Sequence, residues 1–166
     1  MIRILTNCKG KDIDRLQVAA NAAAEVLGQK DCACVSFEFV SAEKIRDINL
    51  RFRGIDKATD VLSFPNLTLE KPQSAKAAVR AKDWSGETDG DGVFLGDVAV
   101  CKAMAKEQAI EFLFIHGLLH LFGFDHENEA DKKLMRKIEE AILNHPALDT
   151  FLWKDVGHPS AEGNIF

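Results

Sequence analysis

A single domain mixing helices with strands is what this sequence predicts, and three observations carry the expectation. The chain has 166 residues, the length of one domain. Of these, 46% are apolar, enough to close a core around several elements. The apolar residues also change period along the chain, from every second position in some segments to every third or fourth in others.

Taken in order, Ile2 to Leu5 reads as a short first strand. Lys11 to Leu27 reads as a helix, because Ile13, Leu16, Ala20, Ala23 and Leu27 recur at steps of three and four, and Gly28 suits its end. Ala33 to Val40 alternates, with Ala33, Val35, Phe37 and Phe39 on one face of a half-buried strand. Ser41 can cap a helix running to about Phe52, with Ile45, Ile48 and Phe52 on its inner side and Gly54 at its end. Asp60 to Phe64 is a short strand stopped by Pro65.

Residues 66–92 lose periodicity and are rich in Lys, Glu, Asp, Gly and Ser. A loop this long is functional or mobile; it reads as a mobile surface loop, with a lid over a site as the sharper alternative. Ala75 to Lys82 has room for a helical turn or two. Strand character returns at Val93 to Cys101. A helical region follows from about Ala103 to Phe122, apolar on nearly every side from Ile110 and so destined for the core. Glu127 to Asn144 is an amphipathic helix with Leu134, Met135, Ile138 and Ile142 inward. Pro146 prevents its continuation, and residues 146–166 form a tail that packs back loosely through Phe151, Leu152 and Trp153. No repeat or linker divides the chain, so residues 1–166 read as one domain.

The start, MIRILTNCKG, lacks an apolar run followed by a cleavage site, and no stretch reaches the ~18 apolar residues that span a membrane. The expectation is a cytoplasmic protein with no membrane partner. Cys8, Cys32, Cys34 and Cys101 form no C-x-x-C pair and read as reduced thiols, with Cys32 and Cys34 as small half-buried residues on one strand face. The net charge of −5 argues against a nucleic-acid coat protein, although a local positive site suffices to grip a few phosphates.

HGLLHLFGFDH, residues 116–126, places three histidines in the most hydrophobic segment. Packing alone explains them poorly, since each buried imidazole costs desolvation. His116 and His120 lie one turn apart on a helix face, where both rings can meet one ion. Gly123 suits a sharp turn that returns the chain, so that His126 supplies a third ligand. Three histidines suit zinc with a fourth position left open, and nickel or copper could also bind. Three neutral ligands leave the ion's double charge uncancelled, which favours anionic substrates and acidifies bound water. Each ligand's second ring nitrogen needs an acceptor, and Asp60, Asp97 and Asp125 are the candidates. The spacing matches the metzincin proteases, but Gly117 stands where they carry their glutamate base. His145 and His158 fit no such pattern and read as surface residues.

The second unusual segment is NLRFRGIDKATDVLSFP, residues 49–65. Arg51 and Arg53 fall at the expected helix end, where, from this segment alone, a favourable dipole interaction explains them better than phosphate binding does. Asp60 and Ser63 are likewise better explained by turns and capping.

Together the two segments resemble the YbeY family of endoribonucleases. The histidine run fits that family's H-G-x-L-H-L-x-G-Y/F-D-H at His116, Gly117, Leu119, His120, Leu121, Gly123, Phe124, Asp125 and His126. Asn49, Phe52 and Arg53 fit its asparagine–aromatic–arginine signature, and TDVLSFP (Thr59 to Pro65) and LGD (Leu95 to Asp97) fit two more. The resemblance implies an α+β fold with a small mixed β-sheet packed with helices, related to zincins, and a metal-binding helix. It implies zinc on His116, His120 and His126, and Arg53 as the functional, substrate-binding arginine. The implied activity is metal-dependent, single-strand-preferring RNA cleavage in 16S rRNA maturation and ribosome quality control, with the small ribosomal subunit as partner. The stretch from Val98 to Phe114 is shorter than the family's usual connection, so a shorter cleft wall is expected there. Two alternatives are a zincin-type metalloprotease, which the ligand spacing suggests, and a non-catalytic ribosome-assembly factor whose structural zinc takes a fourth ligand from Cys101 or Asp97.

Overall fold

The computed structural model describes residues 1–67 and 92–152, the side chains of residues 150–152 excepted. It is an α+β domain with four strands and five α-helices among these residues. In chain order they are β1 (Ile2–Leu5), α1 (Lys11–Leu27), β2 (Ala33–Phe39), α2 (Ala42–Arg53), β3 (Val61–Pro65), β4 (Val93–Val100), α3 (Ile110–Leu121), α4 (Glu129–Leu143) and α5 (Pro146–Leu152).

The sheet runs β1-β2-β4-β3. β1 pairs parallel with β2, and β2 with β4; β3 pairs antiparallel with β4, so the sheet is mixed as expected. A parallel pair needs a crossover, which α1 supplies between β1 and β2. The main core lies between the sheet and α1, α3, α4 and α5, and includes Leu16, Val35, Phe37, Leu118, Ile138 and Leu148. Phe114 of α3 meets Phe37 of β2 edge to face, with ring centroids 5.6 Å apart. α2 covers the other face, where Ile45, Leu62 and Cys101 form a smaller cluster.

A bulge in β4 shapes the edge of the site. The pairing passes from Cys34 with Phe94 to Ser36 with Asp97, so β4 uses one more residue than β2. The irregular residue is Gly96, with φ +137°, and a Cβ there would lie 2.1 Å from the Phe64 carbonyl oxygen. Only glycine permits that backbone and that approach. The bulge lets Leu95 and Val98 both face the main core, and leaves Asp97 exposed.

Several boundaries differ from expectation. β3 includes Pro65, which pairs with Gly96 at the sheet edge, where the missing N–H costs little. The expected helix from Ala103 is interrupted: a 3-10 turn at Lys102–Met104 ends, Lys106 takes a positive φ of 55°, and α3 begins at Ile110. Phe52 does not face inward but is 71% exposed, its ring against Phe64; the buried positions of α2 are Ile45 and Asn49. Cys34 is buried whereas Cys32, before β2 starts, is exposed. Pro146 starts α5 instead of opening a loose tail, since proline suits the first helical turn, and Leu148 is fully buried. His145 is half-buried, with Nε2 3.1 Å from Glu25. Apart from Asn66, Leu67 and Gly92, the expected long loop lies outside the described residues, as do its possible helical turn, Trp153 and His158. Its ends are fixed: Asn66 donates its backbone N–H to the Leu95 carbonyl, and Gly92 lies against the Cys32 carbonyl.

Candidate metal centre

The helix that carries the histidines is held close to the sheet. Along α3 most side chains are buried, and only a narrow side containing His116 and His120 is partly open. Gly117 sets the distance: a Cβ there would lie 3.0 Å from Val98 Cγ1 and 3.4 Å from Val61 Cγ2. A glycine in mid-helix is unfavourable in itself, so the close approach to β3 and β4 accounts for it.

α3 then ends in a Schellman turn. Phe124 N–H donates to the Leu119 carbonyl and Gly123 N–H to that of His120, with Gly123 at φ +85°. Phe124 is buried, which anchors the turn. Asp125 Oδ1 accepts the backbone N–H of His126 at 2.7 Å and orients the next residue. The chain thereby brings His126 back over the helix.

The three rings converge. Their centroids are separated by 4.7 Å (His116 and His120), 5.1 Å (His120 and His126) and 5.5 Å (His116 and His126). One nitrogen from each lies within 4.8 Å of the others. His116 Nε2 and His120 Nε2 are 3.2 Å apart. With Zn–N bonds of about 2.0–2.1 Å, tetrahedral coordination sets ligand nitrogens roughly 3.3 Å apart, so this pair fits zinc without rearrangement. Burial, followed by the neighbouring His116 and His126 rings, pushes the His120 pKa below its ordinary value, against a hydrogen bond with the Phe124 backbone and the charge of Asp125. His120 therefore keeps its lone pair more readily than an exposed histidine.

The acceptor behind His116 is Glu139, which the sequence reading missed. Its Oε1 lies 2.7 Å from His116 Nδ1. A carboxylate there holds the proton on Nδ1 and leaves Nε2 bare toward the other rings. Its signal was present: Glu139 falls in the inward stripe of α4 with Met135, Ile138 and Ile142. An acid among buried apolar positions needs a partner.

The aspartates occupy other places. Asp60 lines the cleft, but its Oδ1 accepts from Val61 N–H at 2.8 Å and Thr59 Oγ1 at 3.2 Å, fixing the start of β3. Asp125 serves the backbone of His126. Asp97 is exposed and takes no part in lining the cleft. Cys101 lies in the cluster under α2, and neither it nor Asp97 joins the histidine group among the described residues.

The trio opens into a cleft of about 650 Å³ whose opposite wall is β3 and the end of α2. Arg53 lines this cleft and makes no hydrogen bond or ion pair among the described residues. Arg51 instead bonds Asp47 Oδ1 at 3.1 Å on the helix surface. The loop that follows Arg53 is pinned to α2 by two contacts. Asn49 Nδ2 donates to the Lys57 carbonyl at 2.8 Å, and Arg46 makes a two-pronged bond with Asp56. The fork lowers the pKa of Asp56 and raises that of Arg46.

Comparison with known proteins identifies a family. The family model described as Endoribonuclease YbeY matches residues 8–147. An Endoribonuclease YbeY of Clostridium botulinum strain Eklund 17B is 44% identical over 69% of this chain and 75% of its own. One from Clostridium perfringens strain ATCC 13124 is 40% identical over 69% and 74%. The solution structure of the Thermotoga maritima protein TM1509 superposes with a TM-score of 0.51 at 26% identity, covering 95% of this chain and 99% of that one. The chain belongs to the endoribonuclease YbeY family.

Proposed function

We propose that this protein is a zinc-dependent endoribonuclease that cuts single-stranded RNA in 16S rRNA maturation and ribosome quality control. Its relatives are named endoribonucleases, and an RNA-cleaving hydrolase is the activity that membership supports. The observation that carries the reading is the meeting of three imidazoles with Arg53 in one cleft. His116, His120 and His126 would hold the ion. When bound, zinc supplies a Lewis acid for a phosphate oxygen and acidifies water.

The chain's own residues do the rest. Glu139 keeps His116 in the tautomer that presents Nε2. Arg53 offers a fork of N–H donors to a phosphate and to the charge that grows on it during cleavage. Asp60 and Thr59 hold β3 as the facing wall. Gly117 removes the glutamate a zincin protease uses as base, which disfavours peptide hydrolysis. With a net charge of −5, grip on RNA is confined to such local sites. No helix among the described residues is long and apolar enough to cross a membrane, which accords with work in the cytoplasm on the small ribosomal subunit.

The test is metal analysis of purified protein beside cleavage of a 16S precursor and an unrelated single strand, with and without chelator. About one zinc per chain and chelator-sensitive cleavage are expected. Protein that carries no ion, or that cuts equally well in chelator, overturns the reading. Product ends add the chemistry: a cyclic phosphate would exclude direct attack by water as the only route.

A further inference from the structure

A second cavity, of about 570 Å³, opens on the other side of the histidines and shares His116 and His126 with the Arg53 cleft. Its walls are the first turns of α3 and one stripe of α4. Phe112 gives it an aromatic surface above the buried Met135, and the Phe112 ring stands 6.0 Å from the His116 ring, tilted by 31°. Lys132 and Arg136 line it, followed along the helix by Glu139, which is held by His116, and by Glu140. Lys132 is tied to Glu129 at 2.8 Å; Arg136 makes no hydrogen bond among the described residues, and its charge acts on Glu129 without a direct contact. Gln108 adds an amide.

We propose that this cavity is a nucleotide subsite, taking one unpaired base of the RNA next to the bond that is cut. The proposal rests on the endoribonuclease reading above. The chemistry is that of single-strand recognition: the half-buried Phe112 ring for the flat face of a base, and polar groups for its edge. Arg136 supplies the cation for the adjoining phosphate. Glu140 can accept from a base amine but would repel a bare phosphate, so the stripe orders phosphate and base along α4. A volume of this size suits a single nucleotide. Because the two cavities meet at His116 and His126, a strand gripped by Arg53 on one side and Arg136 on the other passes directly over the trio.

Binding of a fluorescent single-stranded RNA to metal-stripped protein tests this, together with cleavage kinetics of the zinc-loaded protein. Arg136→Gln is expected to weaken binding roughly fivefold or more and to reduce the slope of log affinity against log salt by about 0.7, one phosphate contact on a single strand. Phe112→Leu is expected to weaken binding with the salt slope and metal content unchanged. In both variants the loss appears as a raised KM. Lys137→Gln, on α4 outside the cavity, controls for charge and should bind as the wild type does. If the wild type binds and cuts RNA while Arg136→Gln matches it in affinity and salt slope, the subsite is wrong and the endoribonuclease reading stands. If the wild type neither binds nor cuts RNA, both fall.

Discussion

Glu139 of α4 and His116 of α3 meet at 2.7 Å across 23 positions of sequence, and this contact couples the packing of the two helices to the metal centre. The carboxylate is 10% exposed, so it is shielded from competing water. Glu139→Gln removes its charge while keeping an acceptor of similar shape. Zinc affinity is expected to fall about 10–100-fold, the usual cost of losing the acceptor behind a histidine ligand. A chelator-competition titration measures it. Unchanged affinity would mean that the contact only joins the helices.

Metal binding should also be visible as stability. A ligand that binds only the folded state at 1,000 times its Kd adds about 4 kcal/mol. For a chain of this length that corresponds to roughly 10 °C in thermal midpoint. Zinc is therefore expected to raise the midpoint of the wild type by about that amount, and chelator to reverse it. His116→Ala should abolish the shift. An equal shift in His116→Ala would place the ion elsewhere.

Two arginines in the same helix turn offer a direct contrast. Arg53 lines the cleft and Arg51 pairs with Asp47 outside it. Arg53→Ala is expected to retain zinc and the fold while cleavage drops about 10²–10³-fold, the scale of losing one preorganised donor to developing charge. Arg53→Lys should recover only part of this, since an ammonium lacks the planar fork. Arg51→Ala should cut at close to the wild-type rate, because an exposed i,i+4 pair contributes little. Turnover on a single-stranded oligonucleotide decides the matter; equal effects at the two positions would remove Arg53 from its assigned role.

Asp60 shapes the start of β3 through Val61 and Thr59 and does not contact the histidines. Asp60→Ala should then cost about 0.5–1.5 kcal/mol from the lost hydrogen bond to Val61 N–H, with zinc affinity unchanged. Denaturant unfolding and the chelator titration together separate the two roles. A large fall in zinc affinity would restore Asp60 as an acceptor behind one of the histidines.

The contrast between Asp60 and Glu139 shows what could be read from the chain alone. The convergence of the three histidines was legible because helical spacing and a glycine-ended turn are local, and the structure closes that turn through Leu119, His120, Gly123 and Phe124. The acceptor was not, because it comes from another helix, and neighbouring aspartates in the motifs were easier to suspect. Strands and helices with a clear period were found nearly to the residue, α1 and β1 among them. Phe52 was misplaced because helical periodicity cannot tell a core face from a rim. The LGD motif hid its meaning for a similar reason: it is a bulge in β4, held by the tolerance of Gly96 for φ +137°, and Asp97 points away as a result.

Gly117 and Val98 set how closely the metal-bearing helix lies on the sheet. A Cβ at position 117 would lie 3.0 Å from Val98 Cγ1 and 3.4 Å from Val98 Cγ2, both side-chain atoms of a strand buried on this face. Gly117→Ala gains up to about 1 kcal/mol of helix propensity but crowds the contact, so the two effects oppose one another. Gly117→Leu has no such balance and should cost about 1–3 kcal/mol through overpacking. That lowers the thermal midpoint by roughly 2–12 °C for a chain of this length. Val98→Ala in the same chain makes room, so the double variant should lose less than the sum of the two single changes, a coupling expected of residues in contact. Gly117→Glu, which restores the zincin glutamate, should destabilise without conferring cleavage of casein, because the Cβ direction aims the side chain at Val98 and Val61. Additive losses in the Leu and Ala pair would show that Gly117 is not what holds α3 to the sheet.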